Sequence, residues 1–195
     1  MIPHLGWQTC GLTTDNASFK SNFVLEHYVL IRAEKEEDRA AVHALNAAAF
    51  ETPAEAGLVD ELRVQAQLIV SLVAEHAGAV VGHIFFSPVT LSGHAGLKIM
   101  GLAPMAVAPS HQRSGIGSAL VGAGLERCRM LGVGAVVVLG HPSYYPRFGF
   151  APAAHFGIGC EYDAPDEAFM IIELQPGFLK DASGTIQYHA AFRNA

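Results

Sequence analysis

Residues 112–118 hold the residue types that point most directly to chemistry. They read Gln-Arg-Ser-Gly-Ile-Gly-Ser and follow an apolar run, residues 102–107, that predicts a strand buried on both faces. From Ile116 onward, apolar residues recur at the spacing of one helix face. A loop that leads into a helix presents free backbone N–H groups at the positive end of the helix dipole, and Gly115 and Gly117 let a ligand approach the main chain. The pattern therefore predicts a phosphate-binding site.

Two common phosphate-binding motifs do not fit this loop. A P-loop needs Gly-Lys-Ser/Thr, which does not follow residues 112–118. In the Rossmann pattern Gly-x-Gly-x-x-Gly, Leu120 occupies the position of the last glycine. These mismatches weaken the alternative of a nucleotide-binding α/β protein.

A second segment, residues 144–150, reads Tyr-Tyr-Pro-Arg-Phe-Gly-Phe. Together with the loop, it makes the sequence resemble the GNAT-type N-acetyltransferases, whose motifs are Gln/Arg-x-x-Gly-x-Gly/Ala and Tyr-x-x-x-Gly-Phe. The resemblance covers about residues 28–174. It implies a mixed α/β fold, with a mostly antiparallel sheet and one parallel βαβ crossover. It also implies an acyltransferase that uses acetyl-CoA as co-substrate and passes the acetyl group directly to an amine.

The resemblance further assigns roles to individual residues. Tyr145, four residues before Gly149, takes the place of the family's tyrosine beside the CoA sulfur. The backbone amides of the loop are implied to hold the CoA pyrophosphate. The preceding strand is implied to pair with pantetheine, and an N–H near Ala106 or Val107 to polarise the thioester carbonyl. The implied cofactor-binding residues are Met105, Ala106, Val107, Gln112, Arg113, Ser114, Gly115, Ile116, Gly117 and Ser118.

The chemistry expected of Tyr145 is assistance to the departing thiolate. A phenol has a pKa of about 10 and a thiol of about 8.5, so complete proton transfer to the thiolate is uphill by about 2 kcal/mol. Tyr145 therefore needs a lowered pKa, or it acts by hydrogen bonding to the sulfur. The neighbouring Tyr144 is expected to pack against the domain.

A base must also take the proton of the acceptor ammonium. The candidates are Glu51 and Glu55 in the helical region, His83 on a long strand, and His141 after a buried strand. The sequence does not choose among them. His111 borders the loop and is placed either against phosphate or in solvent. The histidines lack metal-ligand spacing, so no metal is predicted.

The order of elements supports this mixed fold. The sequence predicts strands at 28–32, 69–74, 80–91 and 135–139, and a further strand that begins at Leu97. A weak strand near 156–160 is predicted to close a hairpin with another at 168–174. Helices are predicted at 40–49, at 54–65 and after Ile116. Pro104 predicts a bulge or splayed edge, because a proline has no N–H to donate to a neighbouring strand. We expect an N-terminal extension, residues 1–27, a domain spanning 28–174, and a C-terminal tail, 175–195, that packs on the domain.

Composition narrows the partners. With 12 Lys and Arg and a net charge of −6, the chain lacks the basic footprint of a nucleic-acid binder. Three widely spaced cysteines, the absence of an apolar run long enough to cross a bilayer and the absence of a signal-peptide pattern favour a cytoplasmic protein that does not bind membranes. The resemblance allows a homodimer and leaves the acceptor open among small amines, peptides and proteins. The alternative to an enzyme is an acyl-CoA-binding sensor or assembly module on the same fold.

Overall fold

The structure is a computed structural model that describes residues 28–50 and 52–194. The predicted extension, residues 1–27, lies outside the described residues, as do Glu51 and Ala195. The strands are β1 Val29–Ala33, β2 Val70–His76, β3 Ala79–Leu91, β4 Ile99–Val107, β5 Ala135–Leu139, β6 Ala151–Pro152, β7 Ile158–Cys160, β8 Phe169–Glu173 and β9 Gly184–Gln187. The helices are α1 Arg39–Ala49, α2 Ala54–Gln65 and α3 Ile116–Met130.

The main sheet has the strand order β1-β2-β3-β4-β5-β8-β6. The first four strands form an antiparallel meander, and β8 is antiparallel to both β5 and β6. The chain passes from β4 through α3 to β5, and these two strands pair in parallel. The predicted α/β fold, with a mostly antiparallel sheet and one βαβ crossover, is therefore confirmed.

The sheet is covered on both faces because successive side chains of a strand point to opposite sides. Ile84 and Phe86 of β3 belong to the core beneath α3, whereas Phe85 belongs to the core shared with α1 and α2. Close packing of α3 on the sheet depends on Gly124, where an added Cβ would lie 2.3 Å from the Phe86 ring. No helix in the described part of the chain is both long enough and apolar enough to cross a membrane.

The parallel strands β4 and β5 separate part of the way along their length. Their pairing ends with Leu102 opposite Val138, and β5 itself ends at Leu139. Because β4 continues to Val107, its last residues have β3 on one edge and an open gap on the other. Two cavities, which together form the candidate active site, open into this gap.

A bulge lies where β4 leaves β5. Ile84 of β3 pairs with Met105, but Phe86 pairs with Leu102, so β4 holds one more residue than β3 in this interval. The bulge predicted at Pro104 is confirmed. The predicted burial of residues 102–107 on both faces is wrong for the second half of the run, where alternate residues are only half-buried because they face the gap.

The predicted closing hairpin between residues 156–160 and 168–174 is wrong. β8 instead lies between β5 and β6, where its apolar side chains are buried. β7 pairs in parallel with β9, which also pairs with the end of β3. The stable partner of β7 is thus a strand from residues 175–194, and burial of Ile158 and Ile186 in one core holds the two together.

Candidate active site

A cleft of about 540 Å³ lies between the end of β4, the start of α3 and the turn at Tyr145–Phe148. We call it the loop cleft. Its lining includes seven of the predicted cofactor-binding residues together with two side chains from the second motif and one histidine. They are Met105, Val107, His111, Gln112, Arg113, Gly115, Gly117, Ser118, Tyr144 and Arg147.

The backbone at the start of α3 forms a concave group of amides. Arg113 and Gly115 both have positive φ, at 58° and 90°, so the chain turns sharply just before the helix. The Ala119 N–H donates to the Gly115 carbonyl at 3.0 Å. The N–H groups of Ile116 to Ser118 precede this first helical bond and point out of the helix end, where an anion is favoured.

Three predicted cofactor residues are not among the residues that line the loop cleft. The Ser114 hydroxyl donates to the His111 carbonyl and so stabilises the loop itself. The Ile116 side chain is buried in the core. Ala106 is paired with His83 across β3 and β4.

The main chain of β4 alternates in the direction of its polar groups. The Ala108 N–H donates to the Val81 carbonyl at 2.9 Å, so by antiparallel alternation Ala106 also turns its N–H and C=O towards β3. Met105 and Val107 turn theirs to the open edge. The Val107 carbonyl accepts a hydrogen bond from Nε2 of Gln112 at 3.0 Å. The amides of Met105 and Val107 therefore remain available to a ligand lying along β4.

Gly117 lies at a close approach between α3, β4 and Tyr144 in the loop cleft. A Cβ at this position would lie 3.0 Å from the Tyr144 hydroxyl and 3.8 Å from Cε of Met105. Any larger side chain would project into the space between α3 and β4. The glycine thus keeps the cleft open next to the free helix amides.

A second cleft of about 400 Å³ lies on the α2 side of the gap between β4 and β5. We call it the apolar cleft. Its lining is Phe50, Glu55, Leu58, Leu102, Ala103, Pro104, Met105, Leu139, Tyr145, Tyr162 and Phe192. Met105 lines both clefts, and the rings of Tyr144 and Tyr145, one in each cleft, meet edge to face with centroids 5.1 Å apart. The two clefts therefore adjoin at Met105 and this tyrosine pair.

Tyr145 is buried, with 7% of its surface exposed, at the bottom of the splayed strands. Burial raises the pKa of Tyr145 to about 12, and Tyr144 adds to the effect. The environment of Tyr145 therefore raises its pKa, whereas a lowered pKa was one of the two possibilities that the sequence left open. A phenol of pKa about 12 is fully protonated at neutral pH and is uphill from a thiolate by about 5 kcal/mol, which favours a hydrogen-bond donor over a complete proton transfer.

Tyr144 does more than pack against the domain. Its hydroxyl lies 3.5 Å from Oγ of Ser118, at the start of α3. The guanidinium carbon of Arg147 stands 4.6 Å from the centre of its ring, a cation–π distance. The second motif thereby places an aromatic ring and a cation in the loop cleft.

The three candidate bases that the structure describes lie in different environments. Glu55 lines the apolar cleft, whereas Glu51 lies outside the described residues. His141 is exposed, and its Nδ1 lies 3.0 Å from Oγ of Ser143. His83 is completely buried between α1 and the sheet. Among the residues that the structure describes, no cluster of three His, Cys, Asp or Glu side chains is arranged to hold a metal.

His83 belongs to a buried hydrogen-bond network. Nδ1 of His83 lies 3.1 Å from the Asn46 amide nitrogen, and Nε2 lies 3.0 Å from Oγ of Ser71, which donates to Glu34. Glu34 in turn pairs with Arg63. This arrangement suits a neutral imidazole with its proton on Nε2, and burial lowers the pKa of His83 to about 3. His83 is therefore a structural residue.

We expect His83 to make the fold sensitive to acid. The unfolded chain takes up a proton at His83 near pH 6.5, whereas the folded protein resists it down to about pH 3, so stability falls as the pH drops through this window. At pH 4.5 the loss relative to pH 7 is about 3 kcal/mol. Urea unfolding at both pH values measures it. His83→Gln should flatten the pH dependence by this amount, while the exposed control His141→Gln should keep it. Equal pH dependence in wild type and His83→Gln would contradict the assignment.

Some residues that line the two clefts were not predicted as site residues from the sequence. Arg147 lies within the second motif, and its position two residues before Gly149 was the available clue. Tyr162 and Phe192 follow the motifs by many residues. The pairing of β9 with β3 and β7, together with the packing of residues 190–194 on α2, brings that part of the chain to the site.

Comparison with known proteins identifies the family to which the chain belongs. A sequence model of the acetyltransferase (GNAT) domain matches residues 30–153. The N-acetyltransferase YhbS of Escherichia coli K12 is 38% identical over 165 residues, which cover 84% of this chain and 98% of that protein. YjhQ of the same strain is also named as an N-acetyltransferase. It is 37% identical over 145 residues, and the match covers 72% of this chain and 80% of YjhQ.

Solved structures agree with the sequence matches. YhbS from E. coli in complex with CoA superposes with a TM-score of 0.81 at 38% identity, covering 85% of this chain and 92% of that one. A GNAT family acetyltransferase from Brucella melitensis in complex with acetyl-CoA has a TM-score of 0.71 at 35% identity, covering 85% and 99%. Membership excludes the alternative of an unrelated nucleotide-binding α/β protein. The resemblance seen in the loop and the Tyr145 segment is confirmed, and the chain belongs to the GNAT acetyltransferase family as an acetyl-CoA-dependent acyltransferase.

Proposed function

We propose that the protein transfers the acetyl group of acetyl-CoA directly to a primary amine. The observation that carries this proposal is the junction of the two clefts at Met105, where β4 leaves β5 and Tyr145 lies below. One cleft has the amides and cations that suit a phosphorylated co-substrate. The other offers a carboxylate and apolar walls to an acceptor.

The loop cleft fits the phosphates of CoA. The outward N–H groups of residues 116–118 and the positive φ values at Arg113 and Gly115 form an anion-binding concavity. Arg147 adds a positive charge to the same cleft. The open space at Gly117 leaves room for a ligand to pass between α3 and β4.

The end of β4 would position the reacting part of the co-substrate. Main-chain groups of Met105 and Val107 face the open edge and can pair with the amides of pantetheine. One of these N–H groups would also donate to the thioester carbonyl as negative charge develops there. A contact of this kind contributes about 3 kcal/mol in other enzymes.

Glu55 would receive the acceptor. The acceptor ammonium gives up one proton, the neutral amine nitrogen forms a bond to the carbonyl carbon, the bond from that carbon to sulfur breaks, and the second proton lost by nitrogen passes through water to the thiolate. Glu55 holds the ammonium and accepts its proton, directly or through water, since it is the carboxylate among the described residues that line the apolar cleft. Tyr145 donates a hydrogen bond to the departing sulfur.

The proposal is tested by binding and by turnover. Calorimetry should show CoA and acetyl-CoA binding, and a thiol-release assay across a panel of primary amines should show release that depends on the amine. Glu55→Gln should lower kcat/KM about 10²-fold with unchanged CoA affinity, because it removes the proton acceptor. Glu61→Gln is the matched control, as Glu61 lies on the same helix outside the apolar cleft.

Two outcomes would contradict the proposal in different ways. Folded protein that binds neither CoA nor acetyl-CoA would refute the assignment of the loop cleft. Protein that binds acetyl-CoA but releases no thiol with any amine would instead fit the sensor or assembly module.

A further inference from the structure

The walls of the apolar cleft are unusually apolar for a surface that water can reach. Leu139 and Tyr162 are 43% and 36% exposed, and both face this cleft. Phe50, Leu58 and Phe192 extend the same surface. Partly exposed apolar side chains that line a cleft indicate a surface that a ligand covers.

The described lining of the apolar cleft holds one charged side chain. Among the described lining residues, Glu55 alone carries a charge, and it is negative. A carboxylate on the acceptor would find no cation opposite it in that part of the lining. A polyamine would place its second ammonium against apolar walls, where an unpaired charge is costly. The lining therefore favours an acceptor with a single ammonium group.

An aromatic cluster from the C-terminal part of the chain forms one wall. The Tyr162 and Tyr188 rings have centroids 5.5 Å apart, and those of Tyr188 and Phe192 are 5.0 Å apart. Tyr188 is largely buried behind the other two, and its N–H donates to the side chain of Glu161. We call Tyr162, Tyr188 and Phe192 the aromatic wall. All three lie after residue 153, where the match to the family domain ends.

We infer that the acceptor is a small monoamine attached to an aromatic or branched aliphatic group, and that Tyr162 and Phe192 select it. The inference rests on the proposed function, since it takes the apolar cleft to be the acceptor site. The ammonium lies at Glu55 and the apolar group lies against the aromatic wall. A cleft of about 400 Å³, near the lower end for small-molecule sites, holds one ring and its linker. The same chemistry occurs in a free arylalkylamine and in the N-terminal residue of a peptide.

The test is a thiol-release assay on the full chain with saturating acetyl-CoA. The amines are 2-phenylethylamine, isopentylamine, ethanolamine, spermidine and a dipeptide amide with N-terminal phenylalanine. We expect kcat/KM for 2-phenylethylamine to exceed that for ethanolamine and for spermidine by 10-fold or more. Activity with the dipeptide amide comparable to that with 2-phenylethylamine would identify peptide N-termini as the source of the acceptor.

Two variants test the aromatic wall directly. Phe192→Ala and Tyr162→Ala should each reduce the preference for 2-phenylethylamine over ethanolamine about 10-fold, with CoA affinity unchanged. Met130→Ala, which removes an exposed apolar side chain at the end of α3, is the control and should leave the preference intact. Melting temperatures establish that each variant is folded.

The possible failures are distinguishable. A preference for ethanolamine or spermidine, or an equal loss for all amines in Phe192→Ala, would overturn the inference while the proposed transferase activity stands. Acetyl-CoA binding without thiol release for any amine would overturn the proposed function itself.

Discussion

Tyr145→Phe is expected to lower kcat about 10²- to 10³-fold while the Kd for CoA stays within about two-fold. The substitution removes the hydroxyl and keeps the buried ring, so its packing against Phe150 and Tyr144 is retained. Because burial raises the pKa of Tyr145 to about 12, the lost contribution is that of a hydrogen-bond donor. Single-turnover thiol release and calorimetry with CoA measure the two quantities separately.

The raised pKa also fixes the expected pH profile for Tyr145. The phenol stays protonated below about pH 11, so it should add no alkaline decline in kcat between pH 7 and 10. Tyr28→Phe is a matched control, because Tyr28 is 66% exposed before β1. An unchanged kcat in Tyr145→Phe, or the loss of an alkaline limb near pH 9 in that variant, would contradict the assigned role.

Gly117→Val is expected to weaken CoA binding by 100-fold or more, which corresponds to about 3 kcal/mol. Its Cβ alone would lie 3.0 Å from the Tyr144 hydroxyl, and its methyl groups would occupy the space between α3 and β4. In the proposed function, CoA passes through this space to bring its phosphates to the free amides at the start of α3. Calorimetry with CoA gives the change in affinity.

Gly122→Val is the control for this prediction. Gly122 lies on the same helix with open space around an added Cβ, so the substitution introduces the same β-branched side chain into α3 without reaching the loop cleft. It should bind CoA with wild-type affinity. If both variants bound CoA equally well, the loop cleft would not be the cofactor site.

Local patterns in the sequence were sufficient for several elements around the two clefts. The periodicity from Ile116 gave α3, the bounds of α2 were predicted as Ala54–Gln65, and Pro104 marked the bulge of β4. These features depend on residues close together in the chain. Their signals in hydrophobic spacing and backbone restriction are therefore visible without tertiary structure.

The apolar cleft depended on contacts that the sequence does not encode locally. β9 is a four-residue strand with glycine and polar residues, so it lacks a recognisable sequence pattern. Its pairing with β3 and β7 explains why the predicted hairpin does not form. The pKa of Tyr145 was also not predictable, because it is raised by burial and by the neighbouring Tyr144, and burial depends on the tertiary structure. Propensity and periodicity contain no information on which distant residues share a cavity.

The pairing of β9 with β3 has a consequence for the order of folding. β4, the loop and α3 are consecutive in the chain, so contacts around the loop cleft close short segments and can form early. The apolar cleft joins Phe50 and Leu58 to Phe192, and closing so long a segment has a larger entropic cost. During synthesis, the ribosome releases the residues of the aromatic wall after those of the loop cleft. The elements of the loop cleft are therefore complete in the nascent chain before those of the apolar cleft.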